Sequence, residues 1–338
     1  MNNIEYYIFP YLFMSCSILF FYNLKNYVAK FIFLLFSMPI FLVPLLRGMV
    51  GVDTYNYINY INYINYPYSI NFDFDFEPFF SILIKINSYL FENSHVALNF
   101  FSFYIIIFLL IFFLKDKNHI FIFISLLFPV FYYDMTMNGI RYGLAFAMSS
   151  YFICNASKMS SKILLLLAFF VHKTSFIFLL IKYSEKINLK KIILILFFIF
   201  IFLYIFIDYF SVKLSAYLEM ESPNIYSGIF TIIFSLSLLI VNTLFFVENK
   251  KRNIYLFLFS FFSYLLVFIS YAGLRIQYLI LYYIIISLCA DKNILSNRLY
   301  CLILYLFGFL YFIYRMYGFN SSAGVGGSPF LPYKFFWN

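Results

Sequence analysis

Apolar run follows apolar run along almost the whole chain, and most are separated by short polar stretches rich in lysine. Runs such as Val96 to Leu114 approach the roughly 20 residues that cross a hydrocarbon core. A bilayer offers no water to backbone N–H and C=O groups, so segments of this kind fold as helices. With 64% hydrophobic and 11% charged residues, the 338-residue chain has too little polar surface for a soluble domain. The expectation is an all-α, polytopic membrane protein, a single integral membrane domain over 1–338. The first run, Ile8 to Tyr22, has no basic leader before it and does not read as a cleaved signal peptide.

Charge then sets topology. The net charge of +9 comes largely from lysines in short inter-helix stretches, which mark the cytoplasmic side rather than a nucleic-acid surface. Cys16, Cys154, Cys289 and Cys301 lie in or beside apolar runs without metal-ligand spacing, and read as packing residues. The run Ile163 to Ile181 is interrupted by His172-Lys173-Thr174-Ser175, which predicts a broken helical hairpin with its flanking lysines inside. Phe79 to Phe91, broken by Lys85, reads as a short interfacial helix. About ten crossings remain, with both termini outside. Residues 47–77 then form an extracytoplasmic loop and 316–338 an extracytoplasmic tail. The basic residues left outside are Arg47, Lys85, Arg141, Lys173, Lys213, Arg275, Arg315 and Lys334. Half of them are arginine, the residue that grips phosphate bidentately.

Several short stretches fall on that outer face. Arg47-Gly48-Met49-Val50-Gly51-Val52-Asp53-Thr54 presents a cation, flexible glycines and a carboxylate where an apolar run ends. It reads as an anion site or as an arginine snorkelling from a helix end. The period-three tract Tyr57 to Tyr66 reads as a low-complexity loop at the interface. Glu77-Pro78 closes the loop. A turn is expected from Asp134 to Arg141, and Arg141 either binds an anion or pairs with Asp134. His172 is a candidate base, expected to be neutral beside Lys173, or a polar plug. Asp53 and Glu77 are alternative bases or sugar ligands. Asp73-Phe74-Asp75 has the form of a metal-binding pair but too few partners, so no metal is assigned. Ser94, His95, Asn99 and His119 read as loop or helix-end residues.

The ordered set Arg47/Asp53/Tyr57, Glu77-Pro78, Asn138-Gly139-Ile140-Arg141-Tyr142-Gly143-Leu144-Ala145 and His172-Lys173-Thr174-Ser175 resembles the EpsG/Wzy-type family of bacterial polysaccharide polymerases. That family shows R-x-G-x-D-T-x-x-Y, then E-P, N-x-x-R-x-x-L-A and H-x-T-S. The resemblance runs from about residue 40 to 280, and Pro332-Tyr333-Lys334 is similar to the family's ending. The glycines at 48 and 51 depart from the usual spacing. The resemblance implies a GT-C-like, metal-independent glycosyltransferase of the bacterial inner membrane, without cofactor. It would polymerise O-antigen or a related polysaccharide from repeat units carried on undecaprenyl diphosphate. A flippase and a chain-length regulator are implied partners. Under it, His172, Asp53, Glu77 and Arg141 are the catalytic candidates. Arg47, Arg141, Arg275, Lys173, Tyr57 and Tyr278 are the candidates for holding diphosphate and sugar. Rival readings are a lipid-linked oligosaccharide flippase, an O-antigen ligase and a membrane acyltransferase.

Overall fold

The apolar runs fold as helices, and no strand occurs among the described residues. The computed structural model describes residues 3–18, 25–64, 77–185, 226–268, 270–291, 294–325 and 329–337. Asp73, Asp75, Lys186, Lys190, Lys191, Lys213 and the apolar run Ile192 to Tyr209 lie outside the described residues. Among those described, four helices are long and apolar enough to cross a membrane: α2 (Asn26–Leu45), α5 (Ser94–Phe113), α12 (Tyr271–Leu288) and α13 (Arg298–Ser321). Shorter apolar helices accompany them, and the chain is a membrane protein.

The described residues fall into two compact units, Met1–Phe176 with Leu288–Asn338, and Ile177–Ser287. The first holds α1 (Glu5–Cys16), α2, α3 (Thr54–Ile64), α4 (Pro78–Leu90), α5, α6 (Lys117–Ile122), α7 (Ile140–Cys154), α8 (Met159–Val171) and α13. The second holds most of α9 (Phe176–Ser184), then α10 (Ile229–Phe245), α11 (Lys250–Val267) and α12.

The tract from Tyr57 is not a loop. It forms α3, and Thr54, Tyr57, Ile58 and Ile61 are buried. Their i, i+3, i+4, i+7 spacing is one face of a helix. Short as it is, α3 holds to the protein by that face and leaves Tyr55 and Tyr63 outward.

The expected turn at Asp134 to Arg141 is also much shorter. Beyond α6 the chain continues as wide π-helix over Phe123–Tyr132 and Asp134–Asn138, and only Gly139 breaks it before α7 begins. Stretches of π-helix are rare and gather at functional sites. Here the wide turns carry Asp134, Asn138 and, just past the break, Arg141. Helix α13 packs on this π-helix through Gly308, where any Cβ would collide with the carbonyl of Ser125.

The interruption at His172 is where the sequence places it. Helix α8 stops at Val171, His172 is extended (φ −157°, ψ 111°), and a single 3₁₀ turn, Lys173–Ser175, precedes α9. Pro78 likewise starts α4 at the position where a missing N–H is harmless.

Candidate active site

Three chain breaks bring the polar residues of the first unit together. Glu77 is the N-cap residue of α4, yet its side chain makes no capping hydrogen bond to that helix. It turns instead toward α7 and the end of α8. Arg141 Nη1 donates to Glu77 Oε2 at 2.9 Å. His172 Nδ1 lies 3.4 Å from Glu77 Oε1. Arg141 Nε donates to the hydroxyl oxygen of Tyr57 at 3.4 Å. The guanidinium also lies 6.0 Å from the Phe80 ring centroid, at the outer limit of a cation–π contact.

The order of burial decides what a ligand meets. The Glu77 side chain is 4% exposed, that of Arg141 27% and that of His172 19%. The carboxylate therefore sits behind a guanidinium and an imidazole. Burial pushes the Glu77 carboxyl up, but the neighbouring His172 imidazole and the Arg141 charge outweigh it and hold the group down at about 2. Glu77 is thus an anion at neutral pH with both oxygens turned to partners. Burial raises the Tyr57 phenol, against the pull of Arg141, so it stays protonated.

Asp53 joins the site through its backbone: its N–H donates to Asn138 Oδ1 at 3.1 Å. That bond fastens the Arg47 loop to the end of the π-helix, three residues before Arg141. Lys173 follows His172 in the 3₁₀ turn and is half-buried.

Arg47 does not join this cluster. Its side chain is wholly buried and donates to Asn99 Oδ1 (3.3 Å), the Val50 carbonyl (3.2 Å) and Thr54 Oγ1 (3.3 Å). Asn99 Nδ2 donates back to the carbonyls of Leu45 and Arg47. Burial lowers the guanidinium to about 10, so it remains charged at neutral pH. The C-terminal tail closes over the loop. Arg47 forms an antiparallel bridge with Phe335, the Gly48 N–H donates to the Lys334 carbonyl at 2.8 Å, and Phe336 N–H donates to Leu46 at 3.0 Å. Tyr333 hydroxyl adds a bond to Val43 at 2.7 Å. The loop that carries Asp53 and leads into α3 is therefore held by the Arg47 side chain and by the tail.

Asp134 does not pair with Arg141. It forms its ion pair with Arg315 of α13, and Arg315 in turn faces the Phe319 ring at 5.4 Å. Arg275 and Tyr278 belong to α12 of the second unit, where Arg275 is exposed and Tyr278 half-buried.

Sequence reasoning passed over Asn99 and assigned no role to Asn138, Thr54 or Arg315. A signal for Asn99 was present: with Ser94, His95 and Ser102 it is one of few strongly polar side chains in the apolar stretch of α5. The described residues hold no group of three His, Cys, Asp or Glu side chains placed to share a metal ion.

A helical membrane protein with a guanidinium–carboxylate–imidazole cluster where α3, α4, α7 and α8 meet is the class these observations define. Residues 29–335 match the EpsG family, and the chain belongs to that family. No curated protein and no solved structure matches it.

Proposed function

We propose that this EpsG-family membrane protein is a polysaccharide polymerase. It transfers a glycan chain from undecaprenyl diphosphate to the non-reducing sugar of a second lipid-linked repeat unit, at the outer face of the bacterial inner membrane. The observation that carries the reading is the layering of the cluster, with Arg141 and His172 accessible in front of the buried Glu77. A fixed guanidinium suits a departing diphosphate, whose developing charge must be stabilised in a low-dielectric setting. An imidazole suits a sugar hydroxyl that must lose its proton as it attacks.

In the reaction, the acceptor hydroxyl oxygen forms a bond to the anomeric carbon of the donor. The bond from that carbon to the diphosphate oxygen breaks, and its electron pair leaves with the lipid diphosphate. The hydroxyl proton passes to His172 and from there to solvent. Arg141 supplies the charge, so no metal enters the scheme. Lys173 is assigned to the lipid diphosphate and Asp53 to sugar hydroxyls. Arg47 is assigned to framing the loop. A flippase delivering the units and a chain-length regulator are the partners assigned to it under this reading.

Deletion of the gene tests the reading. Lipid carrying one complete repeat unit should accumulate on the outer face while long polymer disappears. Single units trapped on the cytoplasmic face would instead identify a transporter.

A further inference from the structure

We propose that Gln277 is a sugar-binding residue: its carboxamide and the open N-terminal end of α10 form a carbohydrate subsite within the second unit. The inference goes beyond the polymerase reading, which assigns this residue no role. Gln277 belongs to α12 and is 3% exposed. Both polar atoms of its amide, Oε1 and Nε2, are buried, and neither has a hydrogen-bond partner among the described residues. Burying an amide without partners is costly, and polar groups inside membrane helices persist mainly where function needs them. A leucine or methionine would pack there without that cost, so packing alone does not account for a glutamine.

The amide is aimed at the start of α10. A Cβ on Gly228 would collide with Gln277 Oε1 and lie 3.2 Å from its Cδ. Gly228 takes a left-handed φ of +79° and stands just before Ile229, the first residue of the helix. Having no side chain, it caps none of the N–H groups that a helix leaves without intrahelical acceptors in its first turn. One of them, that of Ile229, donates to the Tyr226 carbonyl at 3.2 Å. This end of the helix is accessible: Tyr226 is 77% exposed, and Ser227, Gly228 and Ile229 are half-buried. Gly228 and Gln277 both belong to the second unit.

The chemistry selects the ligand. A carboxamide carries an acceptor oxygen and a donor NH₂ side by side. A sugar hydroxyl or acetamido group both donates and accepts, and so satisfies both ends of the amide at once. An ionised diphosphate oxygen only accepts, and would face Oε1 as a second acceptor. Arg275, the nearest cation along α12, is exposed whereas Gln277 is buried. First-turn N–H groups of α10 take further sugar oxygens. The exposed Tyr226 ring offers a face on which sugar C–H groups stack. Rotation about the glutamine's own side-chain bonds brings the amide to a sugar at this end. The ligand is therefore a neutral carbohydrate.

Hydrogen exchange read by mass spectrometry on the purified full chain tests this. The probes are the repeat-unit oligosaccharide, released by mild acid from the cells' own polysaccharide, and undecaprenyl diphosphate without sugar. The oligosaccharide should slow exchange over residues 226–232 of the wild type, and the lipid diphosphate should not. Gln277→Leu should weaken oligosaccharide binding about 10-fold, the size expected for one or two hydrogen bonds lost. Lipid diphosphate binding should stay unchanged. The melting temperature should rise, because an unpaired buried amide gives way to an apolar group. A glutamine kept for structure would lower it instead. Absent protection in the wild type, or the same protection from the diphosphate alone, overturns the proposal, and the wild-type data decide this even if the variant folds poorly. Unchanged oligosaccharide affinity in Gln277→Leu overturns it too. Protection by oligosaccharide in a chain that builds no polymer keeps the subsite and sinks the polymerase reading; chain growth without that protection sinks the subsite alone.

Discussion

Arg141 Nη1 donates to Glu77 Oε2 at 2.9 Å, joining residues 64 apart in the chain across the starts of α7 and α4. The same guanidinium reaches the Tyr57 hydroxyl through Nε. A planar fork makes both contacts at once; a lysine ammonium is a single point of charge. Arg141→Lys should therefore keep the fold, with a melting temperature within a few degrees of the wild type. It should lose most polymerising activity, read as a collapsed ladder on a polysaccharide gel. A wild-type ladder from this variant would remove Arg141 from the site.

Glu77 also ties pH to stability. Its carboxyl is held at about 2, below the ordinary 4.5. A carboxyl depressed on folding contributes stability that is present above the ordinary value and lost as pH falls toward the depressed one. The melting temperature in detergent should drop as pH is lowered from 4.5 toward 2. Glu77→Gln should cost roughly 1 to 3 kcal/mol near neutrality, because it leaves the half-buried Arg141 without its anion. The variant should also lose part of the acid-side slope. An unchanged slope would show that Glu77 is not paired in solution.

Much of this arrangement is legible in the sequence, and for physical reasons. His172 and Lys173 break an apolar run in which charged side chains are costly, so a break there is nearly obligatory. Pro78 starts a helix, so Glu77 must stand at its end. What escaped reading has equally definite causes. The repeat from Tyr57 has the composition of a slippage tract, and its period of three hides the helical face of Thr54, Tyr57, Ile58 and Ile61. Asp134 and Arg141 are near in sequence, which suggests a pair. The π-helical winding and the break at Gly139 separate them, and Asp134 finds Arg315, which follows it by 181 positions, 315 less 134. The burial of Arg47 depends on Asn99 and on the last residues of the chain, and no local pattern encodes such contacts.

The frame around Arg47 makes its own prediction. A Cβ on Gly48 would meet the Phe335 carbonyl oxygen at 2.5 Å and its carbon at 3.0 Å, both backbone atoms that cannot rotate away. Gly48→Ala should detach the tail, lower the melting temperature and expose residues after Ser321 to protease. Gly318, which has nothing within 4 Å of such a Cβ, is the control and should tolerate alanine. Equal protease resistance in both variants would mean that the tail does not close on this loop.

Chelation addresses the source of charge stabilisation. With Arg141 supplying it, the purified protein should extend lipid-linked units in excess EDTA at its usual rate. Loss of activity restored by magnesium would instead bring Asp73 and Asp75 forward as ligands.

The account's central claim is that chain growth occurs on this protein, by transfer from a lipid diphosphate. Reconstitution of the wild type and His172→Ala in vesicles, with undecaprenyl-diphosphate-linked repeat units as sole substrate, measures it most directly. The account predicts that the wild type builds a ladder of lengthening chains and releases one lipid diphosphate per bond formed. His172→Ala should bind the same units and extend none. Units that cross the bilayer unjoined, with no ladder from the wild type, would contradict it.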